Sequence, residues 1–425
     1  MYIKDLNDNL LGQEIEIRGW IYRHRASKNI IFMVVRDSTG VIQCTMPAAH
    51  SQFADAENLL IESSVRINGM LKKDERAPGG YEIETTKLKI VHRSEDIFPI
   101  TKDQSAEFLL DKRHLWIRSR RSTMIFRIKA VAMAAAREWL EKNSFVETTP
   151  PIIVSGQTEG GSTLFDLKYF DSTAYLSQSA QLYQEALIFG LERVYSITPS
   201  FRAEKSRTTR HLAEYWHLEP EAAWVEHKEN MKIQEEFVSH ICQVVANKMK
   251  SELEFLGREV AELKAIKPPF KRMTYEEAVQ FLQENGFDVN FGSDFGTKEE
   301  AFLTQHEKKP VFIEKYPLSI KAFYMKENPD DPRTVLCDDM LAPEGFGEMI
   351  GGSERETDYN KITERLKKQG EDLKKYEWYL DLRKYGSVPH SGFGMGIERL
   401  VRWLCKLEHI RDAVPFPRTM NRSYP

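Results

Sequence analysis

The sequence predicts an α+β chain that carries a small all-β domain at its N-terminus. Three observations support that expectation. Residues 14–91 contain about five short stretches of alternating polar and apolar residues, the period of half-buried strands. Further on, strand-like pairs alternate irregularly with helical patterns inserted between them. The regular βαβ order of a doubly wound sheet is missing, and neither GxGxxG nor a Walker A sequence occurs.

The N-terminal strands are expected at 14–21, 30–37, 41–46, 64–69 and 81–88, with a helical piece over 53–61. Asp37-Ser38-Thr39-Gly40 closes the second as a turn. Five short strands and one helix fit a small Greek-key barrel such as an OB-fold, a frequent nucleic-acid binder. A β domain with no nucleic-acid role fits the pattern equally well. The polar stretch 94–110 reads as a linker. The basic run 112–121 could touch an RNA backbone, but it reads rather as a solvated helix face. Residues 123–142 place Ile125, Ile128, Ala132, Ala135 and Trp139 on one side of a helix.

Beyond position 145, strands are expected at 191–197, 217–224, 310–314, 321–325, 335–341 and 348–351. Helices are expected at 231–256, 359–368, 376–384 and 396–404. This pattern divides the chain into a barrel over 1–97, a linker or hinge over 98–122, and a larger α+β domain over 123–425.

Length and composition agree with that division. A chain of 425 residues exceeds one ordinary domain. It is 41% hydrophobic and 29% charged, with a net charge of −4. A nucleic-acid partner would therefore be met by local patches and not by a global basic field. No apolar run is long enough for a membrane span, and the N-terminus lacks the apolar core of a secretory signal. Cys44, Cys242, Cys337 and Cys405 lack metal-ligand spacing and read as reduced, mostly buried thiols of a cytoplasmic protein.

Three segments carry chemistry. The first is Phe201-Arg202-Ala203-Glu204, followed by Thr209-Arg210-His211-Leu212 and then Glu214-Tyr215. Guanidinium groups in a loop between two strands match phosphate oxygens in bidentate fashion. The second is Gly392-Phe393-Gly394-Met395-Gly396-Ile397-Glu398-Arg399, where glycines let backbone approach a ligand and a helix then begins. The third, Phe145-Val146-Glu147-Thr148-Thr149-Pro150-Pro151, reads alone as a strand broken by proline.

Together these segments resemble motifs 2, 3 and 1 of the class II aminoacyl-tRNA synthetases, and they stand in that family's order along the chain. The resemblance covers essentially the whole sequence. Arg18-Gly19-Trp20 is similar to the anticodon-binding barrel of subclass IIb, and residues 409–418 are similar to the C-terminus of its aspartate and asparagine branch, in the archaeal and eukaryotic style. The resemblance implies a class II antiparallel sheet with flanking helices. It also implies ATP, Mg²⁺ and tRNA as ligands, and a homodimer joined near 145–153.

The resemblance also assigns roles. Arg202 would hold the α-phosphate, Glu204 would face the adenine amino group and the tRNA end, and Tyr215 and Arg399 would sandwich adenine. These place Arg202, Glu204 and Arg399 at the catalytic centre. Arg210 and His211 would fall near the γ-phosphate, and Glu348 and Asp339 would bind Mg²⁺. Glu159, Ser179 and Gln181 would surround the substrate ammonium, and Arg355 would hold its side-chain oxygen. Phe32, Gln43 and Glu82 would contact the anticodon.

Aspartate and asparagine are nearly isosteric, so charge must separate them. Aspartyl enzymes carry a lysine at the position of Gln184 and an aspartate at that of Glu219. A neutral Gln184 leaves a substrate carboxylate without its partner. The longer Glu219 could accept a hydrogen bond from a side-chain amide. The resemblance therefore implies L-asparagine and tRNA(Asn). Three rival readings are an aspartyl enzyme, possibly non-discriminating, a synthetase-like asparagine synthetase, and a non-catalytic RNA-binding protein. The N-terminal barrel argues against the second, and the intact Arg202, Glu204, Glu348 and Arg399 argue against the third.

Overall fold

The computed structural model describes residues 1–156, 158, 164–205 and 208–425. The chain forms two compact units, Met1–Trp116 and Ile117–Pro425. Among the described residues, no helix is long and apolar enough to cross a membrane. All four cysteines are buried, free thiols.

The first unit contains a closed five-stranded barrel. Its strands are β1 (Glu14–Ala26), β2 (Ile30–Arg36), β3 (Val41–Pro47), β4 (Ser64–Lys73) and β5 (Tyr81–His92). They close in the order β1-β2-β3-β5-β4. Alternation sends Ile17, Ile31, Met33, Ile42, Ile67 and Ile83 into one apolar core and their neighbours outward. Strands cross closely at two points. A Cβ on Gly19 or Gly69 would lie well inside 3.0 Å of the Arg36 or Glu84 carbonyl oxygen, so only glycine fits.

The helix expected over 53–61 is shorter, α1 (Phe53–Glu57), and the expected linker contains α2 (Ala106–Asp111) and α3 (Arg113–Trp116). The run read as a solvated face is partly internal. Arg113 is fully buried, with its guanidinium 4.5 Å from the Trp116 ring centroid. Stacking on an indole lets the weakly hydrated guanidinium leave water.

The second unit begins with α4 (Arg120–Lys142), capped by the Ser119 hydroxyl, which accepts from the Ser122 N–H. Then follow β6 (Val146–Glu147), β7 (Ile153–Val154), β8 (Asp166–Tyr169), β9 (Ser172–Leu176), α5 (Gln181–Leu191), β10 (Arg193–Phe201) and β11 (Glu214–Ala223). Next come α6 (His227–Lys248), α7 (Lys250–Phe255), α8 (Val260–Lys264), β12 (Lys271–Thr274), α9 (Tyr275–Glu284), α10 (Thr297–Thr304) and β13 (Val311–Glu314). The unit ends with β14 (Cys337–Ala342), β15 (Gly347–Glu354), α11 (Tyr359–Lys368), α12 (Glu377–Asp381), β16 (His390–Gly396) and α13 (Ile397–Leu404).

Eight strands form one sheet in the order β12-β13-β14-β15-β16-β11-β10-β6. Its central pairs, from β13 to β10, are antiparallel. Ile125, Ile128 and Trp139 of α4 pack with Phe237 and Ile241 of α6, Leu218 of β11 and Met395 of β16 in the main core. One face of the sheet is thus covered by helices. Residues that alternate with Leu218 and Met395 face the other side, where the cleft lies.

In this unit the helix expected over 376–384 shortens to α12, and two other expected elements differ further. The helix expected over 231–256 is interrupted at Met249, whose backbone leaves the helical region (φ −124°, ψ 33°). Residues 321–325 do not form a strand. Arg365 donates to the carbonyls of Met325, Ala322 and Lys321, so a guanidinium takes acceptors that a neighbouring strand would otherwise use.

Phe237 is fully buried between Trp139 and Phe393, with ring centroids 5.5 and 5.8 Å away. Phe237→Ala should destabilise the second unit by about 3–5 kcal/mol, seen as a lower urea midpoint. An unchanged midpoint would contradict this packing.

Candidate active site

β10 and β11 pair from Arg193↔Ala222 to Phe201↔Glu214, and the arginine-rich loop joins their ends. The two-residue period along β11 turns Tyr215, His217, Glu219 and Glu221 to the open face and Leu218 and Ala222 to the core. β16 lies alongside, and β15 beyond it, with Gly351 and Gly394 as register partners. This glycine pair forms the floor of the cleft.

Two joined recesses occupy the face. Arg202, Glu204, His211, Tyr215, Glu348 and Arg399 line a narrow slot. A wider cleft of about 930 Å³ shares Arg202, Arg210, Glu348 and Arg399, and reaches Ser179, Gln181, Glu219, Asp339 and Arg355. Residues expected from motif and resemblance alike therefore meet in one place, although they span positions 179 to 399. Glu159 lies outside the described residues.

In the slot, the Arg202 guanidinium stands 5.8 Å from the Tyr215 ring centroid and 4.0 Å from the Glu204 carboxylate. Arg399 pairs with Glu348 at 2.8 Å and also donates to the Glu348 carbonyl at 3.3 Å. Glu398, just before Arg399, accepts from Lys129 of α4 at 2.5 Å and from the Trp216 N–H at 3.0 Å. That buried carboxylate fastens the first turn of α13 to β11 and so fixes Arg399 relative to Tyr215. Sequence reasoning missed Lys129 and Glu398, which lie 269 positions apart.

A second missed residue is Glu300 of α10. It pairs with Arg210 through both guanidinium nitrogens and accepts the Glu348 N–H at 2.7 Å. Burial works against a charged Glu348, but Arg399, Arg210 and Lys321 prevail and hold its pKa down to about 2. Asp339 goes the other way. Burial, together with the charge of Glu348, pushes it up to about 6, although Lys321 bonds it at 3.0 Å.

Carboxylate oxygens of Asp339 and Glu348 lie 3.5 and 3.6 Å from the point where a Gly351 Cβ would sit. Two acids converging over a residue with no side chain suit a hard divalent cation. Burial, followed by the charges of Arg399 and Arg210, lowers the pKa of His211 to about 4.

The end of the cleft around Glu219 and Arg355 rests on hydrogen bonds. Glu219 accepts from the Ser179 hydroxyl and from the Ala180 N–H at 2.9 Å, and stands 3.3 Å from His217. Burial raises its pKa. Arg355 is held by Glu221 through two bonds of 3.0 and 2.8 Å. Gln181 turns its amide onto Glu185 at 3.0 Å. Glu221 was missed in sequence, though its place two residues after Glu219 on one strand carried the signal. In the barrel, Gln43 and Thr45 both donate to Glu82, at 2.7 and 3.0 Å, and Phe32 of β2 is the register partner of Thr45.

The depressed pKa of His211 has a consequence for stability. Its neutral ring favours the folded state above pH 6.5, and that advantage is lost as pH falls from 6.5 toward 4. Between pH 7 and 4.5, melting temperature should fall further in the unmodified chain than in His211→Gln. Equal losses would contradict the assignment.

Residues 105–420 match the family described as tRNA synthetases class II (D, K and N), and residues 15–91 match the OB-fold nucleic acid binding domain. The asparagine–tRNA ligase of Thermococcus gammatolerans is 53% identical over 427 residues, covering 100% of this chain and 99% of that protein. That of Thermoplasma acidophilum is 46% identical, covering 98% and 97%. The crystal structure of asparaginyl-tRNA synthetase from Pyrococcus horikoshii complexed with asparaginyl-adenylate superposes with a TM-score of 0.97 at 51% identity, covering 100% and 99% of the two chains. The chain belongs to the class II tRNA synthetases of the D, K and N group.

Proposed function

We propose that this chain is an asparagine–tRNA ligase. It joins L-asparagine to ATP as asparaginyl-adenylate and passes the asparaginyl group to tRNA(Asn). The observation that carries this reading is the joined cleft. A slot between Tyr215 and Arg399 opens onto a pocket bounded by Glu219 and Arg355. Full-length identity to asparagine–tRNA ligases supports the same reading.

The roles that the resemblance assigns give the mechanism, and the grouping of these residues around one cleft supports it. Adenine enters the slot between the Tyr215 ring and the Arg399 guanidinium. Arg202 meets the α-phosphate, and Arg210 and His211 meet the γ-phosphate. Asp339 and Glu348 would hold Mg²⁺, which would supply positive charge against the phosphates. Ser179 and Gln181 line the cleft where the substrate ammonium would sit, and the resemblance assigns Glu159 to the same group. Arg355 takes the side-chain oxygen, and Glu219 accepts from the side-chain amide.

The asparagine carboxylate is already a nucleophile. It attacks the α-phosphorus, the α–β bond breaks, and pyrophosphate leaves. Arg202 stabilises the charge that builds on the α-phosphoryl oxygens, and positioning supplies the rest. In the second step the 3′-hydroxyl of the tRNA terminal ribose attacks the carbonyl carbon, and AMP leaves. Phe32 stacks on an anticodon base while Gln43, oriented by Glu82, reads its edge.

Arg202→Ala should lower asparagine-dependent ATP–pyrophosphate exchange by about 10²–10³-fold. Phe32→Ala should leave exchange unchanged and slow aminoacylation of tRNA(Asn). Exchange that proceeds with aspartate and not asparagine would overturn the substrate assignment. Exchange untouched by Arg202→Ala would overturn the catalytic centre.

The chain acts as a homodimer joined near β6 and β7, where Val146, Ile152 and Ile153 expose apolar surface. Sedimentation at micromolar concentration should give a two-chain mass, and Ile153→Asp should shift it toward one chain. A one-chain mass for the unmodified protein would contradict the assembly.

A further inference from the structure

Behind the amino-acid pocket lies a buried set of charges that none of the three motifs contains. Glu185, on α5, is fully buried. It accepts from Arg383 at 2.6 Å and from the Tyr379 hydroxyl at 2.8 Å, and its carboxylate meets the His390 ring at 3.0 Å. Glu221 and Arg355 form a second buried pair beside it. Ligand-type atoms of Glu185, Glu221 and His390 lie within 4.8 Å of one another. Such a trio could hold a metal by residue type, but both carboxylates already bond guanidinium groups.

We propose that Glu185 and Glu221 set the charge of the amino-acid pocket, cancelling the charges of Arg383 and Arg355 so that a neutral side chain is accepted and its carboxylate isostere refused. This inference rests on the asparagine reading and deepens it. Glu185 and Glu221 are positioning residues: Glu221 acts through Arg355, and Glu185 through Arg383.

The charges around the pocket balance. Arg355 lines the cleft, yet two of its nitrogens are given to Glu221 and a third donates to Ser353 at 2.6 Å. It can still donate to a neutral oxygen, but its charge is already matched. Glu185 matches Arg383 in the same way. Both nitrogens of the His390 ring face acceptors, the Val388 carbonyl and Glu185. With that ring neutral, two acids balance two arginines and Glu219 adds one negative charge. With it protonated, Glu219 restores neutrality. In neither case, with Glu219 ionised, do these groups leave an unmatched positive charge for a substrate carboxylate.

Burial makes this balance effective, because buried charges are screened much less than exposed ones. At an effective dielectric of about 20, one unit charge about 8 Å away changes the affinity for a carboxylate by roughly thirtyfold. Removing Glu221 would unmask Arg355, which lines the pocket, and removing Glu185 would leave the charge of Arg383 unmatched in the buried layer behind it.

The test compares Glu185→Gln, Glu185→Asp and Glu221→Gln in the full chain. Exchange is measured with asparagine and with aspartate, and the readout is the ratio of the two kcat/KM values. Each preparation is its own reference, so an inactive fraction cancels. Glu185→Gln and Glu221→Gln should raise the aspartate-to-asparagine ratio by about tenfold or more. Glu185→Asp keeps the charge and should leave the ratio as it was, even where both rates fall.

If the glutamine variants lose both substrates in parallel, the network is merely structural and the inference is overturned. If Glu185→Asp raises the ratio as much as Glu185→Gln, charge is not the cause and the inference also fails. Should a variant fold but not turn over, thermal shifts with asparaginyl- and aspartyl-sulfamoyl adenosine give the same comparison. Should Glu185→Gln not fold, Glu221→Gln carries the test. Failure of the unmodified chain to use asparagine would instead overturn the proposed function.

Discussion

Strand β16 passes beside β11 with no side chain at Gly392 or Gly394. A Cβ at Gly392 would lie well inside 3.0 Å of the Glu221 carboxylate and of the Pro220 carbonyl, and one at Gly394 would strike the His217 ring. Across the next strand Gly351 leaves the same kind of gap, shared by Asp339 and Glu348. The cleft exists because side chains are missing from its floor. Large polar groups from β11, β14 and β15 lean over that floor, while Leu218, Met340, Ile350 and Met395 fill the core on the other face. A strand sequence rich in glycine is costly in backbone entropy, and the helical packing of α4, α6 and α13 against the far face offsets that cost.

The second constraint is charge in a place with little water. Acids and bases around the cleft are paired across long sequence separations: Arg210 with Glu300, Lys321 with Asp339, Arg399 with Glu348, Arg355 with Glu221. Buried pairs contribute modestly to stability, since desolvation opposes their attraction. Their effect is to fix donors before a ligand arrives, which is what phosphoryl chemistry requires of an enzyme that supplies little covalent chemistry of its own. The same pairing decides which substrate charge the pocket tolerates.

Much of this was legible in sequence. The period of two revealed the barrel strands, and the ordered strings around Arg202 and Arg399 located the slot. Lys129, Glu300, Lys321 and Glu185 were not legible. Each acts through a partner 18 to 269 positions away, and local pattern says nothing about such pairs. The expected strand over 321–325 failed for a related reason: Arg365, about forty positions on, takes its backbone carbonyls. The buried Arg113 misled in the opposite sense, because a basic run is judged by composition and its stacking partner, Trp116, is visible only in three dimensions.

The central claim is that a floor without side chains makes the cleft. Gly394→Ala tests it with the smallest possible change, since Gly394 lies in strand β16 outside the left-handed region and the three atoms nearest the added methyl all belong to the His217 ring. The decisive measurement is asparagine-dependent ATP–pyrophosphate exchange alongside the melting temperature. The account predicts exchange reduced by about a hundredfold or more, as when transition-state contacts are misplaced, with the melting temperature nearly unchanged. Exchange at the unmodified rate would contradict it.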